Sequence, residues 1–481
     1  MTGNPQRRGH TFMNAFSFRD TAIILSMVVA YIAVTTWLTI KLRSKTNDQF
    51  MVASRALPAA LVGMLLMSEF IGTPATVGTA QQAFKSGMAT SWAILTASVG
   101  FALVGIFLAR RLHRSGDFTI SGLIANRYGA SARLVVSLVM AYALFVVNVN
   151  NYVSGAAAIS TVLKVSLPIA ALVTAVVSTF YYALGGLKGV AYVTVIHGTV
   201  KYLGVVIVTV IAYRLSGGVA PIAQHLPHQY FSWDGTIGGP TITAWLIGNV
   251  GALFSTQMVV QAVAATKNPT SARNCTFYAA VLCIPIGIMA AFIGVAAKHL
   301  YPGLNSIYAF PIFIQKTNVF WGGMITTAIV ASIFANVATV ALAITSLLVK
   351  DFYVPYFHPN AEKQFRITRY ASVIVGFLPL PFVLMVPSIL KTQFFTRGLR
   401  TAITMVALAA LYFPFFSSSA GATVGLIAAT IATSVWFFLG NPLGIDNIYI
   451  AVVTPVIVMA IDHLLHGSGK PKPEIAVSQG Q

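Results

Sequence analysis

The sequence predicts an all-α, polytopic membrane protein of about thirteen transmembrane helices, and three observations carry that prediction. Of 481 residues, 57% are hydrophobic and 8% charged, whereas soluble domains carry about 25% charged residues. Apolar runs of roughly 20 residues, the length that crosses about 30 Å of hydrocarbon at 1.5 Å per residue, recur between residues 18 and 464. No stretch between them is long enough for a soluble catalytic domain.

Gly, Pro and charged residues punctuate these runs. They put the spans at about 18–41, 57–80, 88–109, 133–163, 166–184, 189–214, 241–266, 274–298, 321–349, 368–390, 399–415, 419–439 and 446–464. The first is expected to be a retained span, because Arg7, Arg8 and His10 precede it but no small-residue cleavage site follows. The second is interrupted by Gly72, Pro74 and Gly78, with hydroxyl residues packed around the break. After the third, residues 111–132 carry Arg127-Tyr-Gly behind a mildly apolar stretch and read as a cytoplasmic interfacial helix. The fourth span holds Asn148, Asn150 and Asn151, and a Gly-containing turn at 182–190 separates the fifth from the sixth.

Residues 215–240, rich in Gly and Pro, form an external loop with room for a short helix. The seventh span carries Asn249, Ser255, Thr256, Gln257 and Gln261. Cys275 and Cys283, eight residues apart in the eighth, are about 12 Å apart along a helix, too far for a disulfide. Residues 466–481, rich in Gly, Lys and Pro, read as a disordered cytoplasmic tail.

The 30 Lys and Arg against 10 Asp and Glu have no basic domain to serve, so they report topology rather than nucleic-acid binding. An odd number of spans puts the termini on opposite sides, and eighteen Lys and Arg then fall on one side against eleven on the other. The positive-inside rule places the N terminus outside and the C terminus in the cytoplasm of a cell inner membrane. The expected partners are the lipid bilayer and a small solute, and the oligomeric state is not written in the sequence.

Broken membrane helices expose carbonyls and helix ends that bind ions or polar solutes at midplane. The second span, Met67-Ser-Glu-Phe-Ile-Gly-Thr-Pro to Ala83-Phe84-Lys85-Ser86-Gly87, resembles the first core helix of the sodium/solute symporter family. Three more segments resemble that family in the same order. They are Tyr182-Ala-Leu-Gly-Gly-Leu-Lys-Gly-Val190, Phe254-Ser-Thr-Gln through Ala265-Thr-Lys267, and Ala343-Ile-Thr-Ser-Leu-Leu-Val-Lys-Asp-Phe-Tyr353. The resemblance implies a leucine-transporter-type fold of two inverted five-helix repeats with broken first helices. They occupy about 57–214 and 241–415 of a single transporter domain spanning 1–465. It also implies alternating access around a site between spans two and seven.

In that family the sodium site combines carbonyls of the broken second span with two adjacent hydroxyl residues on the ninth. Counting back from Asp351-Phe-Tyr353, those two positions are Ala335 and Asn336. An aspartate that normally follows the Gly-Gly-Leu-Lys turn is replaced by Thr194. The resemblance therefore implies a degenerate sodium site, with Thr339 one turn beyond Asn336, and leaves Na+ or H+ open as coupling ion. No other cofactor is expected.

Thr194, His197 and Lys201 share one face of the sixth span at i, i+3 and i+7. Lys201 sits about 12 residues, roughly 18 Å, from either end, too deep to snorkel, at an expense of at least about 2.5 kcal/mol. It should face the bundle interior and pair there, and Glu69 is the natural partner as the one carboxylate placed deep in the hydrocarbon. Candidate solute contacts are Glu69 and Thr73 at the break, Asn151, and Asn249, Ser255, Thr256 and Gln257. Amides in membrane helices also serve as interhelical glue.

No His-x-x-x-His, Cys-x-x-Cys or paired-carboxylate constellation lies at membrane depth, which argues against an enzyme. A transporter-like sensor would carry an appended signalling domain, and a facilitator would need no coupling ion. One buried carboxylate, one ammonium and several amides fit a small organic acid or amino acid. A cationic amine anchored by Glu69, or a sugar, stays open.

Overall fold

A computed structural model describes residues 17–467 apart from 43, 117–118, 164, 386–388 and 414. The expected tail therefore lies, from residue 468 on, outside the described residues. Helix dominates, and the one extended contact is an isolated bridge between Leu57 and Thr266. Eight single helices and two bent pairs are long and apolar enough to cross a membrane among the described residues.

The chain opens with α1 (Phe18–Lys41), started by a capping box between Ser17 and Asp20. Then come α2 (Ala59–Phe70) and α3 (Thr73–Ser86), the two halves of the second span, bent by 52°. The break is local chemistry. Gly72 is extended (φ −81°, ψ −179°), and Pro74 in the first turn of α3 has no N–H to continue the ladder. The N–H groups of Ala75 and Thr76 both turn to the Gly72 carbonyl. A Cβ on Gly72 would lie 2.1 Å from Asn336 Nδ2, so the residue is fixed by close approach.

Helix α4 (Trp92–Leu103) continues through a π turn. In α5 (Ile120–Leu163), Gly129 (φ +83°) separates a short leading segment from the span, as expected for an interfacial helix feeding a crossing. Helix α6 (Leu167–Leu215) departs from expectation. Spans five and six are one continuous helix, with no turn at Gly185-Gly186. Two glycines in a helix interior cost only about 1 kcal/mol each, too little to break the helix on their own. The apolar crossing segment within it is Ala191–Leu215.

The external loop holds a short helix, Val219–His225. The second bent pair, α7 (Gly239–Ser255) and α8 (Gln257–Ala264), turns by 50° at Thr256. It is followed by α9 (Pro269–Leu300), capped by Asn268, and α10 (Val319–Leu347), capped by Asn318. Next are α11 (Ala361–Phe377), α12 (Ile389–Tyr412), α13 (Ser419–Phe438) and α14 (Asn447–His466).

Helices α11 and α12 lie N-terminal to the spans expected at 368–390 and 399–415. Asn360 caps α11, accepting from the Lys363 N–H at 2.9 Å, so its charged first turns are helical. Helix α12 begins at residue 389, ten residues before the expected span at 399–415, so Arg397 joins Arg400 on a helix that lines the bundle's cavity.

Helix α10 packs along α6, α2 and α3 pack on α9, and α7 packs on α12. Small residues permit these approaches. A Cβ on Gly251 of α7 would sit 2.4 Å from Thr401 Oγ1 of α12, and the Thr404 hydroxyl donates to the Gly251 carbonyl. At the other end of the bundle, Arg133 and Asp351 pair at 3.0 Å, and the Ser121 and Ser137 hydroxyls also donate to Asp351. This cluster locks the start of the α5 span to the turn that ends α10.

Candidate functional site

The two faces of the α2/α3 break carry different chemistry. One borders a cavity open at one side. Glu69, Gly72 and Pro74 supply one wall. Asn151 of α5, Thr256 at the α7/α8 bend and Asn336 of α10 supply others, and Gln393, Arg397 and Arg400 of α12 close it. Glu69 makes no hydrogen bond or ion pair with any described residue. Arg400 is held by two bonds of 3.1 Å, Nη1 to Thr256 Oγ1 and Nε to the Thr396 carbonyl. Asn151 Nδ2 and Asn336 Oδ1 are buried without a partner.

The other face of the break belongs to Lys201, which is 2% exposed. Its Nζ donates to the Ser68 and Ile71 carbonyls, both at 2.6 Å, and to Ser68 Oγ at 3.2 Å. Ile71 ends α2, and the next N–H groups in the chain turn to Gly72, so its carbonyl is one the break has freed. The expected pairing with Glu69 is not made. All three ammonium protons are taken by oxygens of Ser68 and Ile71, and the Glu69 carboxylate faces the solute cavity instead. A small second cavity beside Lys201 is lined by Thr73, Thr76 and Ser332. The Thr73 and Ser332 hydroxyls are both buried without a partner.

Of the other expected contacts, Asn249 donates to the Ala93 carbonyl at 3.1 Å and to Thr96 Oγ1 at 2.7 Å, tying α7 to α4. Ser255 donates to the Arg400 carbonyl at 2.6 Å. Gln257 Oε1 accepts from the Ile120 N–H at 2.9 Å, capping α5. These three hold helices together and do not line the cavity. Gln261 does likewise, donating to the Met51 carbonyl and to Ser346.

His197 is hydrogen-bonded through Nδ1 to the Tyr31 hydroxyl of α1, whereas Lys201 is bonded to the break. Thr194 is buried on the same helix. Thr339 donates to the Asn336 carbonyl at 3.1 Å. Ala335 is placed on α10 beside Asn336, and its side chain lies outside the described residues.

A sodium ion does not fit between the break and α10. An ammonium already occupies two of the carbonyls that would ligate it, and Asn336 turns its Nδ2 toward Gly72. The residues missed from the sequence are Gln393, Arg397 and Arg400. Their i, i+4, i+7 spacing puts them on one helical face, but three charges within residues 391–400 lowered the hydropathy and read as a loop.

The profile of the sodium:solute symporter family matches residues 50–429, most of the chain. The chain belongs to that family. It is 22% identical to the sodium/glucose cotransporter of Vibrio parahaemolyticus over 464 residues, 86% of this chain and 84% of that protein. It is also 22% identical to the high-affinity proline transporter PutP of Bacillus subtilis over 343 residues, 67% of this chain and 72% of that protein. Among solved structures, a substrate-bound, outward-open Na+-coupled sialic acid symporter shares the fold. The TM-score is 0.81 at 19% identity, covering 94% of this chain and 99% of that one. The member described here is therefore a multi-pass membrane transporter of a family whose ordinary coupling ion is Na+.

Proposed function

We propose that this symporter imports a small organic solute bearing a carboxylate, seated between Glu69 and the guanidinium groups of Arg397 and Arg400. The carrying observation is that Glu69, Arg397 and Arg400 line one cavity, two guanidinium groups against one carboxylate. Guanidinium presents a planar donor fork that matches a carboxylate. Arg400 is already oriented by Thr256 and Thr396, so it meets the solute preorganised. A second reading, an amino acid, draws on Glu69. A carboxylate without a partner, facing the same cavity, is an acceptor for a solute ammonium at the opposite end.

The purified protein should be stabilised against heat by short monocarboxylates or by amino acids, and not by glucose or choline. Stabilisation by glucose or choline alone would sink the carboxylate reading.

A further inference from the structure

We infer that the Lys201 ammonium is a tethered substitute for the sodium ion of this family's fold, so that transport by this chain does not use sodium. The inference rests on the transport reading above but not on which solute is carried. Three observations converge on it.

The first is geometry. In the family's pattern, carbonyls at the break in the second span serve the ion, and here the Ser68 and Ile71 carbonyls are held by Nζ at 2.6 Å each. Ser68 Oγ takes the third proton at 3.2 Å, so the ammonium is fully paired without any carboxylate. The second is depth. Lys201 is ten residues from the start and fourteen from the end of its crossing segment, about 15 and 21 Å, beyond the reach of a lysine side chain to water. An amine held there is part of the fold. The third is the opposite wall. Where two hydroxyl residues would complete a sodium shell, α10 offers Ala335, which has no side-chain oxygen, and Asn336, whose nitrogen fronts Gly72. A sodium ion at these carbonyls would also lie within a few ångströms of a like charge in a low-dielectric interior.

The buried hydroxyls of Thr73 and Ser332 border the small cavity that Lys201 also lines. Thr73 belongs to α3 and Ser332 to α10, so a tether reaching from α6 touches the broken span and faces α10 as an ion would. The side chain thereby joins α6 to the broken span and borders α10.

Two measurements test this. The first is binding of 22Na+ to the purified wild-type protein, which needs no knowledge of the solute. No saturable binding is expected, and saturable binding overturns the inference. The second is proteoliposome counterflow of whichever radiolabelled carboxylate stabilises the protein, with sodium replaced on both sides by potassium. Equal rates are expected, and loss of exchange without sodium overturns the inference. In Lys201→Met, two carbonyls lose a charged donor and counterflow should fall by at least about tenfold. Wild-type exchange by that variant also overturns it, and a variant that fails to fold leaves the two wild-type measurements decisive. If no carboxylate exchanges under any condition, the solute reading fails, and 22Na+ binding still judges the ammonium.

Discussion

Replacing Arg400 by glutamine removes one guanidinium from the wall of the solute cavity while keeping a polar side chain of similar reach. In the wild type this guanidinium is pinned at 3.1 Å by both Thr256 Oγ1 and the Thr396 carbonyl, so its remaining donors are aimed rather than mobile. Loss of a hydrogen bond from a charged donor costs about 1.5–3 kcal/mol, and each 1.4 kcal/mol is tenfold, so KM for the carboxylate should rise by about 10- to 150-fold. The assay is the initial rate of radiolabelled carboxylate uptake into proteoliposomes as a function of concentration, normalised to reconstituted protein. Thr256→Val is the control. It removes the same 3.1 Å bond but no charge, and should raise KM by no more than about tenfold. An Arg400→Gln protein whose KM matches wild type would refute carboxylate recognition by α12.

Glu69→Gln should reduce uptake severely while expression and membrane insertion persist, since the residue lines the cavity and makes no hydrogen bond or ion pair with any described residue. Unchanged transport would demote Glu69 to packing. Gly72→Ala places a Cβ 2.1 Å from Asn336 Nδ2, an overpacking expected to destabilise by about 1–3 kcal/mol. Its Tm should fall in detergent and recover partly in the double variant with Asn336→Ala, and an unshifted Tm would contradict the close approach. A reporter fused after Gln481 should be cytoplasmic and one inserted near Gly235 periplasmic, and matching signals from both would break the orientation.

The fold was legible because its determinants are local. Gly72 and Pro74 write the break into the second span, and 20-residue apolar runs write the crossings. Where a local signal was read too strongly, the reading erred. The glycine pair at 185–186 suggested a turn, yet α6 runs helical through it. Charges at 391, 397 and 400 suggested a loop, yet α12 buries two of them against a polar cavity, and hydropathy averaged over a window cannot tell a wet loop from a polar face inside a bundle.

The depth of Lys201 was legible by counting residues along its helix, but its partner was not. Glu69 was the obvious counter-charge in the sequence. The carbonyls that hold the ammonium are backbone groups, freed only by how the break orients α2 and α3. Asn249, Ser255 and Gln257 had the right polarity at the right depth. Which way each faces depends on the rotation of α7 and the bend at Thr256, which the sequence pattern leaves open.

Concentrative uptake by the wild-type protein, reconstituted alone, tests the central claim most directly. Radiolabelled short monocarboxylates and amino acids, with glucose and choline for comparison, are offered to proteoliposomes under imposed ion gradients. The account predicts that at least one carboxylate-bearing solute enters in a saturable manner and is competed by its own class. Saturable uptake confined to glucose or choline, with carboxylates excluded, would contradict it.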